Sequence, residues 1–311
     1  MNKYDWIPTE CAPKNYPVRI YDGNFFYGNN KKIYVPNGRL VNYGWGGDGS
    51  INIAGEQMKE APDRLEITWL SYTENVTYTG DFKLDREKID SLLKKGYGIY
   101  AEGEEHKTFD ELKVGMAPGG LVVVWLSGGA RQVEVGSFQA HTTTNVDWKK
   151  EFPDMEISID KHVANVVSDL PPEVQEQAKN HAIPFDLWKN WRKRYNWRTV
   201  INEECRPETL FTEYFNAEQT KNAANGKVDP EIRELAVPKR MYVFWTNKKN
   251  DSMRTDFNYD EQEVTAAFLQ IKDHADLDIS ISPDDYKVVI KLKSNHKEVI
   301  LNKTQTRTVL R

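Results

Sequence analysis

Alternating apolar and polar positions dominate the first part of the chain. From Ala12 to Gly49, the runs YPVRIYDG, NFFYG and KKIYVPNG are separated by Gly, Asn and Pro and end in a Gly cluster. This predicts strands joined by tight turns. Leu65-Glu66-Ile67-Thr68-Trp69-Leu70 alternates with period two and predicts a strand, with Val76 to Phe82 as its partner. Asp85 then caps a helix to Lys95, because Ile89, Leu92 and Leu93 share one face and Lys94, Lys95 and Gly96 close it. Residues 96–108 read as a loop. Leu112 to Met116 and Leu121 to Leu126 predict strands, and Ser127-Gly128-Gly129 turns the chain into Gln132 to Phe138.

The same grammar returns near the C-terminus. Pro62-x-Arg64-Leu65-x-Ile67-x-Trp69 is answered by Pro238-x-Arg240-Met241-x-Val243-x-Trp245, and Phe82, Asp85 and Ile89 by Phe257, Asp260 and Val264. Pro118, Val123 and Val124 match Pro283, Val288 and Val289, and the last hairpin turns at Ser294-Asn295. Residues 62–138 and 237–303 are therefore expected to be two copies of strand, strand, helix, strand and hairpin, the second helix running from Asp260 to Lys272. Residues 139–236 break the pattern. Pro171-Pro172 opens a helical stretch to Ala182, and Trp188, Trp191 and Tyr195 fall on one helical face. Asn216 to Asp229 reads as a polar surface loop. The predicted class is α+β: two pseudo-symmetric β-β-α-β-β copies joined by a helical insert. The N-terminal β-rich part and first copy cover 1–138, the insert and linker 139–236, and the second copy 237–311.

With 311 residues, 39% hydrophobic and 29% charged, the chain is long and apolar enough to fold around one large core or two medium ones. A net charge of −5 gives no general electrostatic attraction to nucleic acid, which is not expected as a partner. No run approaches the roughly 18 apolar residues of a spanning helix. The first ten residues, MNKYDWIPTE, lack the apolar core of an export signal.

Motifs for chemistry fail on context. Gly44-Trp45-Gly46-Gly47-Asp48-Gly49 fits G-x-G-x-x-G, but no helix or βαβ unit follows, so a turn is expected and no cofactor. Ser127 in WLSGG lacks the preceding Gly of a nucleophile elbow. The six histidines are widely spaced and the cysteines isolated, so no metal site is expected. No catalytic residue is assigned, although a glycosidase carboxylate pair leaves no spacing signature. A 12% aromatic content suits binding, and interfaces favour Trp, Tyr and Arg. Trp45 and Asp48 in the Gly-rich turn are the first candidates for partner binding. Trp188, Trp191, Arg192 and Tyr195 are the second, although that spacing also suits packing on the body.

The blocks APKNYPVRIYDG, PDRLEITWLSYTEN, FDELKVGMAPGGLVVVWLSGGARQVEVGSFQA and IPFDLWKNWRKRYNWR resemble the bacterial domain-of-unknown-function 2931 family. The resemblance spans about residues 4–200. It implies an exported lipoprotein, and for some members an immunity protein encoded beside a type VI secretion lipase effector. The expected function is therefore a periplasmic binding protein that neutralises such a phospholipase by occluding its active site, with no chemistry of its own. The alternatives are an envelope enzyme acting on glycans and a structural envelope lipoprotein. The expected partner is the lipase toxin, and contact with a membrane is expected only through a lipid anchor that this sequence lacks, since Cys11 has no apolar run before it. Met1 to Lys3 read as a replacement start. For an exported protein, Cys11 and Cys205 are expected to form a disulfide.

Overall fold

A computed structural model describes residues 2–97, 107–151, 153, 156–202, 205–223, 231–282 and 286–311. The chain divides into two compact units, Met1–Lys189 and Asn190–Arg311. In the first, β1 (Tyr4–Asp5), β2 (Ile7–Cys11), β3 (Val18–Tyr27), β4 (Lys31–Tyr34), β5 (Leu40–Val41) and β6 (Met58–Lys59) precede the hairpin of β7 (Pro62–Ser71) and β8 (Val76–Lys83). Helix α1 (Arg86–Lys95) follows, then β9 (Glu111–Ala117), β10 (Leu121–Gly128), β11 (Arg131–Gln139) and β12 (His141–Thr142). The helices α2 (Trp148–Glu151), α3 (Ile159–Ser168) and α4 (Pro172–Lys179) come next, and α5 (Leu187–Trp191) runs past the division in sequence.

Strands of this unit pair in the orders β12-β8-β7-β3-β4 and β2-β9-β10-β11. Among the described strand pairs of this unit only β2 and β9 run parallel, which demands a long crossover, supplied here by everything from β3 to α1. Period-two alternation buries Leu65, Ile67 and Trp69 of β7 in the core with Val114, Met116, Val122 and Val124. The Asp85 carboxylate accepts the Lys88 N–H at 3.0 Å, and Ile89 and Leu93 are the buried residues of α1.

The second unit contains β13 (Arg194–Ile201), β14 (Arg206–Tyr214), β15 (Gln219–Ala223), β16 (Arg233–Ala236), β17 (Pro238–Thr246) and β18 (Ser252–Asn258). After α6 (Glu261–Phe268) come β19 (His274–Ile281), β20 (Val288–Lys293), β21 (Glu298–Ile300) and β22 (Gln305–Leu310). Its strand orders are β15-β14-β17-β18-β22 and β16-β13-β19-β20-β21, with β13 parallel to β19. Strand for strand these follow β4-β3-β7-β8-β12 and β2-β9-β10-β11, with β16 added. Asp260 caps α6 by accepting the Glu263 N–H at 2.9 Å.

Several expectations are corrected. The protein is mostly β, 47% strand against 17% helix, which overturns the α+β class with its helical insert. Helices occupy only part of 148–191, and from Arg194 the chain is strand. The reason lies in RYNWRTVI, whose aromatic and β-branched residues turn Trp197 and Thr199 inward at alternate positions. Helix α5 ends at Trp191 and Tyr195 lies on β13, so Trp188, Trp191 and Tyr195 share no helical face. Asn216 is buried and Gln219–Ala223 is a strand rather than loop, while 224–230 and the Pro283 match lie outside the described residues, as does most of the 96–108 loop.

The match of Val124 to Val289 is one residue out of register. Val124 pairs with Val114, and the equivalent core pair is Ile290 with Ile279. A one-residue slip exchanges the faces of a strand, and Val289 is 37% exposed where Val124 is buried. Helix α6 stops at Phe268, short of Lys272, where the Gln270 and Ile271 N–H groups close i+3 turns. Cys11 and Cys205 form no disulfide: each is a buried free thiol belonging to a different unit. Cys11 Sγ accepts the Gly46 N–H at 3.3 Å, and the Cys205 thiol donates to the Ile281 carbonyl at 3.5 Å.

The helix caps supply a test of the two α-helical turns. Asp85→Ala and Asp260→Ala should each lower stability by about 1 kcal/mol in urea unfolding, since each removes the acceptor of an otherwise orphaned N–H.

Candidate functional site

The Gly-rich turn lies on the side of β9 and β10 that faces away from the core. There, Lys113 is buried and its Nζ donates to three acceptors: the Gly46 carbonyl at 3.0 Å, Asp48 Oδ1 at 2.7 Å and Gln132 Oε1 at 2.9 Å. Gln132 in turn donates to the Gly46 carbonyl at 3.2 Å. A buried ammonium is tolerated only when its protons are paired, and here all three are. Trp45 turns inward, 9% exposed, and meets Trp125 edge-on with ring centroids 5.0 Å apart. Gly115 makes room for this pair, since a Cβ there would lie 2.6 Å from the Trp125 ring and 2.9 Å from that of Trp45. At Gly49 a Cβ would come within 2.0 Å of the Glu10 carbonyl oxygen, so no larger residue allows this close approach.

The following segment is fastened at both ends. Ser50 N–H donates to Glu10 Oε1 at 3.0 Å, and Ile51 forms an isolated bridge with Thr9. Asn52 donates to the Tyr34 carbonyl at 2.8 Å and accepts the Ala54 N–H at 2.8 Å, a side chain folded into its own turn. At the far end, buried Lys59 donates to the Glu56 carbonyl at 2.8 Å and the Gln57 carbonyl at 3.1 Å. Between these anchors the chain presents apolar side chains to solvent: Ile51 is 58% exposed, Ile53 82% and Met58 47%. Ile53 also lines a cleft of about 1110 Å³ with Ile7, Asp5, Tyr97, Asp110 and Glu111.

Burial decides the electrostatics. It pushes the Glu10 carboxyl up to about 7, with the Ser50 N–H opposing, and raises Asp110 and Glu111. It also pushes the Cys11 thiol up to about 12, so the sulfur stays protonated and is no nucleophile at neutral pH. Among the described residues, no group of His, Cys, Asp and Glu is arranged to hold a metal ion. No described helix is long and apolar enough to cross a membrane.

The residues expected at the site fall into separate places. Trp45 and Asp48 share the turn, but Trp45 fixes the turn to the body while Asp48 remains 82% exposed despite its ion pair with Lys113. Trp188 is buried in the first unit, edge-on to Tyr16 at 5.0 Å. Trp191 and Tyr195 are half-buried in the second, where Trp191 Nε1 donates to Glu261 at 2.6 Å and the Tyr195 ring lies 5.3 Å from that of Phe268. Arg192 is half-buried. Missed were Ile51 and Ile53. Their signal was two isoleucines at alternate positions between Gly49 and Gly55, outside any predicted strand.

Residues 1–186 match a family described as a protein of unknown function, DUF2931. The chain belongs to the DUF2931 family. The match stops within a few residues of the end of the first unit at Lys189, so the family corresponds to that unit. No curated protein and no solved structure matches the chain.

Two measurements probe this DUF2931 site. Lys113→Met should lower stability by about 2–4 kcal/mol, because the Gly46 carbonyl and Gln132 lose a buried donor. Glu10 contributes to the pH dependence: between its ordinary 4.5 and about 7, the folded protein holds the proton that the unfolded chain releases. Stability should therefore fall as pH rises through that window, by about 3 kcal/mol in all, and Glu10→Gln should flatten the slope in urea titrations from pH 4 to 8.

Proposed function

We propose that this DUF2931 protein is a non-catalytic binding protein of the bacterial envelope that neutralises a toxic enzyme by covering its active site. The observation that carries this reading is the exposure of Ile51, Ile53 and Met58 along a segment held at both ends. Exposing isoleucines costs solubility and stabilises nothing in the fold, so such a patch marks a contact surface. Fixing the loop before contact lowers the entropy lost on binding. A lipase, with an apolar mouth for acyl chains, is the toxin that such a loop suits best, and the family resemblance points the same way. Ile53 enters the mouth while Asp48 and the cleft beside it meet the polar rim. A periplasmic location with a lipid anchor belongs to the same proposal.

A second reading, an enzyme acting on envelope glycans, draws on Asp110 and Glu111, which line the cleft with raised carboxyl groups. Mixing the purified protein with bacterial phospholipase toxins, and separately with envelope glycans, separates the two. The binding reading expects a stoichiometric complex that blocks lipid hydrolysis. Ile53→Asp should weaken that complex at least tenfold, with the thermal midpoint unchanged. Absence of any complex, or turnover of an envelope glycan that stops in Asp110→Asn or Glu111→Gln, would overturn it.

A further inference from the structure

The strands β15-β14-β17-β18-β22 of the second unit bury Met241, Val243, Trp245, Met253 and Phe257 on one face. Alternation turns the intervening residues to the other face. Register sets them in rows: Phe211 beside Tyr242, then Asp256, then Arg307, and next to this Phe244, Arg254 and Val309. The Phe211 and Tyr242 rings stack with centroids 5.5 Å apart. The Arg254 guanidinium lies 4.4 Å over Tyr242, and that of Arg311 lies 4.9 Å over Phe244.

The charge on this face runs against that of the chain as a whole, which is −5. Arg254 is bonded to Asp256 at 2.5 Å, and Glu213 is shared between Lys239 at 2.7 Å and Arg240 at 3.9 Å. Arg307 and Arg311 are exposed, and among the described residues neither forms an ion pair with an Asp or Glu side chain. A guanidinium laid on an aromatic ring keeps its outer N–H groups in a fixed fork, ready for a carboxylate.

The first unit shows that the corresponding face accepts a covering segment. There Tyr21, Leu70 and Tyr72 lie under Val163 of α3, with Trp148 edge-on to Tyr21 at 4.5 Å. In the second unit the side chains of Arg240 and Arg254 remain 43% and 38% exposed.

We infer that the face carrying Tyr242, Phe244, Arg254, Arg307 and Arg311 docks an acidic segment of a protein partner. The carboxylates of Asp256 and Glu213 are interleaved with the guanidiniums, so a continuous phosphate backbone laid across the face would meet both signs of charge. A polypeptide with spaced acidic residues can place its carboxylates on Arg307 and Arg311 and its apolar side chains on the rings between. This inference stands apart from the loop of the first unit and does not depend on it.

The test uses the full chain and a fluorescent peptide of about 12 residues alternating Glu and Val, followed by anisotropy at low salt. The peptide should bind, and binding should weaken as salt is added. Arg307→Glu with Arg311→Glu should cut affinity at least tenfold, and Arg307→Gln with Arg311→Gln should cut it less, both with unchanged circular dichroism. Ile53→Asp should bind the peptide as the parent does, which keeps this result separate from the loop's. No binding by the parent, equal binding by the reversed variant, or preferential binding of an oligothymidylate or of phosphatidylglycerol vesicles would overturn the inference.

Discussion

The ammonium of Lys113 determines where the Gly-rich turn sits, and the outward segment after that turn follows from it. Removed from water, the group requires three acceptors, and the turn supplies two of them, the Gly46 carbonyl and Asp48, while Gln132 supplies the third. Lys113 cannot be satisfied unless residues 44–48 lie on β9. Once they do, Trp45 has one place to go, against Trp125 over the space left by Gly115. Glu10 and Thr9 then receive Ser50 and Ile51, and the chain emerges with Ile53 facing solvent.

The second unit shows what the same sheet looks like without this device. By the pairing of Val114 with Val124 and of Ile279 with Ile290, Lys113 and Trp125 correspond to Asp278 and Lys291. Those two residues carry partly exposed ion pairs, Asp278 with Lys293 and Lys291 with Glu298. Such pairs add little to stability. Strand order recurs because it depends on which backbones exchange hydrogen bonds and which side chains face the core. The outward faces are free of that constraint, and each unit has its own: an anchored apolar loop in the first, arginines over aromatic rings in the second. That the family match ends with the first unit agrees with this division.

Periodicity alone was enough to read the β7–β8 hairpin, the capped helices α1 and α6 and the β10–β11 hairpin, because alternation and an Asp cap are local properties. The strand character of β13 was equally local, but the two Trp residues before it imposed a helical spacing that the chain abandons after Trp191. The direction of Trp45 was not legible. A Gly-rich turn specifies that the backbone bends, not which side of the bend finds an apolar wall. That wall is Trp125, eighty residues away in the chain.

The sequence by itself determined the family, the two matched runs of elements and the presence of an aromatic, glycine-rich turn, since each is written in residue types at short spacing. Only the tertiary structure decided that the chain is mostly β, that the cysteines stay apart as free thiols, and that Val124 answers to Ile290 rather than Val289. It also decided that Ile51 and Ile53, rather than Trp45, face outward. Those outcomes depend on which distant groups satisfy a buried charge or fill a cavity. Burial is a property of the folded arrangement, so no single segment contains it.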